Sequence, residues 1–183
     1  TDFIATGTYD RRRPLHKTCS PSMDILVSSN LERLLYLMSG DTELVASLMA
    51  QLNREGFYTV PEALQSAIRE EFWAGCCDDA LTKKTIGKVF KEQNYLCDTH
   101  TAVAMNVYKQ YVEKTGDDIP TVIASTASPY KFAASVLDAV SDKKGNTEFD
   151  TVRVLNEVTK AEIPAPIAAL ENSTVRFNDI CEK

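Results

Sequence analysis

Apolar residues recur at intervals of three and four along most of this chain, the spacing that places them on one face of an α-helix. Gly40, Gly56 and Gly116 follow such stretches as C-caps do, and Asp41 and Asp78 precede others as N-caps do. The pattern predicts helices over residues 23–38, 42–55, 61–72, 79–95, 99–114, 130–140, 148–160 and 164–170.

One segment departs clearly from the helical pattern. Residues 121–125 are β-branched and almost continuously apolar, which is typical of a strand buried on both faces of a parallel sheet. Residues 72–77 are predicted as a short buried strand or turn, and 173–177 as an edge strand. The fold class predicted is therefore α/β, mostly helical, with a partial parallel sheet and flanking helices. Because open α/β sheets bind ligands beyond the carboxyl ends of their strands, the loop 125–131 is the first candidate site.

Length and charge limit the function classes that need to be considered. The chain has 183 residues and a formal charge of −6, and its length predicts a single domain over residues 1–183. Negative charge disfavours a nucleic-acid or anionic-membrane partner. No stretch approaches the roughly 20 apolar residues that cross a bilayer, and no signal-peptide pattern is present, so a cytoplasmic protein is expected. The chain opens on Thr1 rather than Met, and we expect it to be part of a larger protein.

Cysteine and histidine spacing offers one candidate for metal binding. Cys97 and His100 are three residues apart, and Cys76 and Cys77 are adjacent. Adjacent cysteines bind one tetrahedral ion awkwardly, and cysteines often pack as small core residues. The five cysteines form an odd set, which indicates reduced thiols. We therefore predict no metal site.

Two further features are compatible with either chemistry or ordinary structure. His100 begins a predicted helix, where an imidazole is a candidate catalytic base or a packed residue hydrogen-bonded to nearby backbone. Ser20 and Ser22 precede another predicted helix, where their hydroxyls form an anion site or an N-cap. The residues alone leave these alternatives open.

Five segments together resemble the threonine synthase family in its longer form. They occur in the family's order and extend from residue 7 to residue 132, and any one of them alone would be a weak signal. The segments are Gly-Thr-Tyr-Asp at 7–10, Ser-Pro-Ser-Met-Asp-Ile at 20–25, Ser-Ser-Asn-Leu-Glu-Arg-Leu-Leu at 28–35, Asp-Thr-His-Thr-Ala-Val-Ala at 98–104 and Ser-Thr-Ala-Ser-Pro-Tyr-Lys-Phe at 125–132.

The resemblance implies a fragment of the large domain of a fold-type II pyridoxal-phosphate enzyme, similar to the tryptophan synthase β subunit. The family converts O-phospho-L-homoserine and water into L-threonine and phosphate, with pyridoxal 5'-phosphate as cofactor. Its Schiff-base lysine and its glycine-rich phosphate loop lie upstream of the matched region. We therefore expect this chain to lack both, to need the missing N-terminal part of the protein as its partner, and to be inactive by itself.

The resemblance also implies roles for particular residues. A hydroxyl of the Ser-Thr-Ala segment is expected to bind the pyridine nitrogen of the cofactor, and by position this is Thr126, with Ser125 as the near alternative. A hydroxyl cannot act as the counter-ion that a carboxylate would be, so the ring nitrogen need not be held protonated. The candidates for catalysis are His100 and Lys131, and those for substrate binding are Ser20, Ser22 and Asp24.

Two positions depart from the family pattern, and two other functions remain as alternatives. Ser128 stands where the family usually has His, and Thr99 where it usually has Pro. One alternative is a non-catalytic module of the same ancestry that binds an amino acid or a protein partner. The other is a different fold-type II pyridoxal-phosphate enzyme, such as a serine dehydratase or a sulfhydrylase.

Overall fold

The computed structural model describes residues 1–177, which belong to two compact units. The first unit comprises residues 1–79 and 103–122, and the second comprises residues 80–102 and 123 onward. The elements of the described chain are α1 (Asp2–Thr6), β1 (Thr8–Asp10), α2 (Ser29–Ser39), α3 (Thr42–Glu55), β2 (Phe57–Thr59), α4 (Glu62–Glu71), α5 (Asp79–Gln93), α6 (Thr99–Thr115), α7 (Ala133–Val140), α8 (Glu148–Thr159) and α9 (Ala165–Leu170), with short 3-10 turns at Pro21–Met23 and Pro129–Phe132.

The core of the first unit forms where α2, α3 and α4 pack around a small antiparallel ladder. In this ladder β1 pairs with β2, and Tyr9 lies opposite Tyr58. The rings of these two tyrosines are 5.5 Å apart, and Phe3 meets Tyr58 edge-on at 6.4 Å. The fully buried Leu35 and Ile68 complete the apolar interior.

The second unit is built around the contact between α7 and α8. Val136 and Leu155 are completely buried in this unit, as is Ile86 on α5. Gly87 allows α5 to approach α7 closely, because a Cβ atom at this position would lie 2.6 Å from the carbonyl oxygen of Ala139. The second unit therefore has a tightly packed core beside the loop that leads into α7.

The predicted helix caps are confirmed where the structure tests them most directly. Asp41 accepts a hydrogen bond from the backbone N–H of Leu44 at 2.9 Å at the start of α3. Gly40 and Gly56 end α2 and α3 with φ of 64° and 82°, in the left-handed region that favours glycine.

The helix predicted over residues 23–38 begins later than its apolar spacing indicated. Its α-helical part starts at Ser29, and Ser28 caps it by accepting from the N–H of Asn30. The hydroxyl of Tyr9 donates to the carbonyl of Leu26 and accepts from the N–H of Ser28. This pair of bonds satisfies backbone groups that a continuous helix would have used.

The strand predicted over residues 121–125 is wrong, because this segment has no strand partner among residues 1–177 and Val122 is 94% exposed. The described residues contain a two-stranded antiparallel sheet instead of a parallel one. Residues 72–77 form no strand, and 173–177 are exposed and irregular. Within this part of the chain no helix is both long and apolar enough to cross a membrane.

Candidate functional site

A buried carboxylate organises the start of α6 in the second unit. Asp98 is completely buried, and its Oδ1 accepts from the backbone N–H of His100 at 2.8 Å and of Thr101 at 3.4 Å. The first N–H groups of a helix have no partner within the helix, so a side chain before it commonly caps them. Asp98 caps α6 in this way. Its hydrogen bonds offset the free-energy cost of burying an unpaired charge.

His100 is packed into the same cluster. It is 6% exposed, and its Nδ1 lies 3.2 Å from Oδ1 of Asp98 and 3.3 Å from the hydroxyl of Thr99. Its ring centroid is 4.8 Å from that of Phe132. These contacts fix the orientation of the imidazole, as the packed-histidine interpretation requires, while a catalytic role for His100 stays a prediction.

A series of hydroxyl groups connects Asp98 with the candidate loop. The Thr101 hydroxyl lies in very short contact with Oδ2 of Asp98, and also 3.1 Å from the hydroxyl of Ser125. The phenol of Tyr95 donates to the same Ser125 oxygen at 3.1 Å. Sequence reasoning named Ser125 but missed Tyr95, Asp98 and Thr101 as members of the site. The sequence signal that could have identified Asp98 and Thr101 is an acidic residue three positions before a threonine at the start of a helix.

The other loop residues have different environments. Thr126 is exposed, and no described residue is hydrogen-bonded to its hydroxyl. Ser128 caps the following 3-10 turn by accepting from the N–H of Tyr130 at 3.3 Å, so serine performs a structural task at the position where the family usually has histidine. Lys131 is exposed, with its ammonium 5.7 Å from the ring centroid of Phe132.

The candidates Ser20, Ser22 and Asp24 belong to the first unit. Both carboxylate oxygens of Asp24 are engaged by Thr18, one by its N–H at 2.8 Å and the other by its hydroxyl at 2.7 Å. Ser20 is 2% exposed, and its hydroxyl has no hydrogen-bond partner within residues 1–177. Ser20 and Asp24 line a cavity of about 480 Å³ together with Arg13, and Ser22 is exposed. A role in substrate binding stays a prediction for all three.

Cys97 and Cys76 have different environments. Burial, followed by the nearby Asp98 charge, raises the pKa of the Cys97 thiol to about 11. Cys76 belongs to the first unit and is exposed. In the part of the chain that the structure describes, no three His, Cys, Asp or Glu side chains are grouped as metal ligands would be.

Solved structures define the class of protein to which this fold belongs. The chain matches a pyridoxal-phosphate-bound threonine synthase from Brucella melitensis with a TM-score of 0.70 and 33% identity, covering 87% of this chain and 37% of that one. It matches the yeast threonine synthase with a TM-score of 0.76 and 26% identity, covering 94% and 35% of the two chains. The α/β, mostly helical class is thereby confirmed as that of a fold-type II pyridoxal-phosphate enzyme.

Sequence comparisons lead to the same family. Residues 101–183 match the family described as threonine synthase, C-terminal. The human threonine synthase-like 1 is 39% identical over 80% of this chain, and the Saccharomyces cerevisiae threonine synthase is 33% identical over 76% of it. This chain belongs to the threonine synthase family. It spans 20% and 30% of the lengths of these two relatives.

Proposed function

We propose that this chain is the C-terminal part of a pyridoxal-phosphate-dependent threonine synthase, which converts O-phospho-L-homoserine and water into L-threonine and phosphate. The observation that carries the proposal is the match to a pyridoxal-phosphate-bound threonine synthase over 87% of the chain. We expect the lysine that holds the cofactor, and the loop that holds its phosphate, to lie in a part of the protein that precedes this chain. The chain by itself is then inactive.

The residues of the candidate loop fit the ring-nitrogen end of the cofactor. Residues 125–131 contain no carboxylate, and the exposed Thr126 hydroxyl has a proton to donate. Asp98, the carboxylate that is linked to this loop through Thr101, is already occupied by backbone and hydroxyl donors. Thr126 would therefore donate to an unprotonated ring nitrogen, with Ser125 as the alternative donor. When bound, pyridoxal phosphate withdraws electrons from the amino-acid substrate and eases the loss of its α proton.

The remaining candidates have proposed roles of their own. Asp98 orients the imidazole of His100, which suits a residue that accepts or returns a proton at a fixed position. Lys131 presents an exposed ammonium that can attract a phosphate group. In the first unit, the buried and unpartnered hydroxyl of Ser20 has one proton available for an anion in its cavity. These assignments are proposals for mutagenesis.

The experiment uses the longer protein that contains this chain, beside the chain alone. Pyridoxal-phosphate binding is followed by absorbance, and turnover by phosphate release from O-phosphohomoserine. We expect the longer protein to bind and turn over, and the chain alone to do neither. Thr126→Val should change the spectrum of the bound cofactor, whereas Thr174→Ala, at an exposed threonine outside the loop, should not.

Three outcomes would contradict parts of the proposal. Turnover by the chain alone would refute its inactivity. A longer protein that neither binds the cofactor nor releases phosphate would favour the non-catalytic module, an outcome relevant because four relatives are named threonine synthase-like 1. Cofactor binding with turnover only of serine or an O-acetylated amino acid would assign the chain to another fold-type II enzyme.

A further inference from the structure

A small cavity in the first unit combines an apolar wall with unengaged polar groups. Its volume is about 240 Å³, and it is lined by residues of β1, α2, α3 and β2 and by the segment before α2. Val27, Met49 and Leu52 form the apolar part of the lining. Because one water takes up only about 30 Å³ in the liquid, the cavity has room for a small organic molecule.

Tyr58 presents a buried donor to this cavity. It is 1% exposed, yet its hydroxyl has no hydrogen-bond partner among residues 1–177. A buried hydroxyl without a partner costs about 1–3 kcal/mol, and a bound molecule that accepts its proton removes this cost. Burial, followed by the nearby Tyr9 and Glu32, raises the pKa of Tyr58, so the phenol keeps its proton and acts as a donor.

The start of α2 adds further donors and one negative charge to the same lining. The Ser28 hydroxyl oxygen accepts from the N–H of Asn30 at 3.3 Å, which leaves its own proton available. The N–H of Ser29 belongs to the first turn and has no partner within the helix, an arrangement that favours a carboxylate. Glu32 lies three positions further along α2, and residues with this spacing have Cβ atoms about 5–6 Å apart on one helix face. Glu32 forms no ion pair within residues 1–177.

We propose that this cavity binds a free amino acid with a short apolar side chain. Glu32 pairs with the ammonium group of the amino acid. The start of α2 and the Tyr58 hydroxyl hold its carboxylate, and its side chain packs against the apolar wall. A simple anion would be repelled by Glu32, and a simple cation would be disfavoured by the helix N-terminus, where negative charge is preferred. A molecule with both charges on neighbouring atoms matches both features.

This site is additional to the candidate catalytic residues. None of the residues that line the cavity is among the candidates for cofactor binding, catalysis or substrate binding. The inference therefore does not rest on the proposed function. Calorimetry measures binding without turnover, so the test stays valid for a protein that proves inactive towards O-phosphohomoserine.

The experiment titrates L-alanine, L-valine and L-leucine into the longer protein that contains this chain, by isothermal titration calorimetry. We expect saturable binding of one equivalent of at least one of them, with the absorbance of any bound pyridoxal phosphate unchanged. The matching acid without the amino group, and the matching amine without the carboxyl group, should each bind at least about tenfold more weakly, because each loses a charged hydrogen bond. For valine these analogues are isovalerate and isobutylamine.

Two variants and two matched controls locate the binding. Glu32→Gln and Tyr58→Phe should each weaken binding about tenfold. Glu43→Gln, in the first turn of α3 and outside the cavity, should bind the amino acid like the parent, as should Tyr36→Phe at an exposed tyrosine of α2. Without the amino acid, Tyr58→Phe should keep or raise the thermal midpoint, because it removes a buried hydroxyl that lacks a partner.

Four outcomes would overturn the proposal. None of the three amino acids binds, or the amine without a carboxyl group binds as tightly as its amino acid. Binding is the same in Glu32→Gln as in the parent, with or without a change in cofactor absorbance, which would place the amino acid elsewhere. Tyr58→Phe lowers the midpoint without ligand and binds like the parent, which would give Tyr58 a structural role alone. If Tyr58→Phe does not fold, Glu32→Gln at its exposed position decides the question.

Discussion

The close approach of α5 to α7 predicts that Gly87→Ala destabilises the second unit. An added Cβ atom would lie 2.6 Å from the carbonyl oxygen of Ala139, which is a backbone atom and cannot rotate away. Overpacking of this kind costs about 1–3 kcal/mol, and a rigid neighbour places the cost toward the upper end. Alanine is preferred over glycine in a helix by about 1 kcal/mol. The net expectation is a loss of roughly 1–2 kcal/mol.

Urea denaturation followed by circular dichroism measures this loss. The thermal midpoint should also fall by about 2–4 °C for each kcal/mol lost in a chain of this size. Hydrogen exchange should become faster in the peptides of α5 and α7, because the strain is local to their contact. Lys84→Ala is the matched control, since Lys84 is exposed on the same helix and its replacement should change stability by less than about 0.5 kcal/mol. A higher midpoint for Gly87→Ala would show that helix propensity outweighs packing here, and would refute the reasoning.

Three further predictions concern other parts of the chain. Leu155→Ala, at a fully buried site in α8, should lower the free energy of unfolding by about 2–5 kcal/mol in urea denaturation, and an unchanged midpoint would contradict the packing described. Peptide mass spectrometry after brief iodoacetamide treatment near pH 8 should find Cys76 labelled and Cys97 protected, because burial raises the pKa of Cys97 to about 11, and equal labelling would count against this. Hydrogen bonds from the Arg12 side chain and backbone lower the pKa of Asp10 to about 2, so the stabilisation from this carboxylate is present above its unfolded pKa and is lost as pH falls through about 2. A carboxyl NMR titration midpoint at the ordinary value of about 4 would disprove that shift.

Local chemistry made some helix boundaries predictable from the sequence and left others unpredictable. Gly40 and Asp41 act through the backbone of their own turns, so sequence order alone is enough to place them. The start of α2 was displaced because Tyr9 binds backbone groups at Leu26 and Ser28, far along the chain. Apolar spacing records which residues could share a helix face. It does not record a hydrogen bond from a distant side chain that competes for the same backbone.

The candidate site shows the same division between local and tertiary information. The family segments identified Ser125, Thr126 and His100 as candidates, because each lies within a recognisable run. The contact of Thr101 with Ser125 joins residues 24 positions apart, and no sequence spacing predicts it. The link between the Asp98 carboxylate and the candidate loop was therefore found only from the three-dimensional structure.

The irregular conformation of residues 121–125 has a practical consequence for anyone who prepares this chain by itself. Val122 is 94% exposed in a segment with strong β propensity and no partner strand among the described residues. Unpaired backbone in such a segment recruits a strand from another molecule. Concentrated samples of the isolated chain should therefore form soluble oligomers and then precipitate, and co-expression with the N-terminal part that we propose for the protein is the rational remedy.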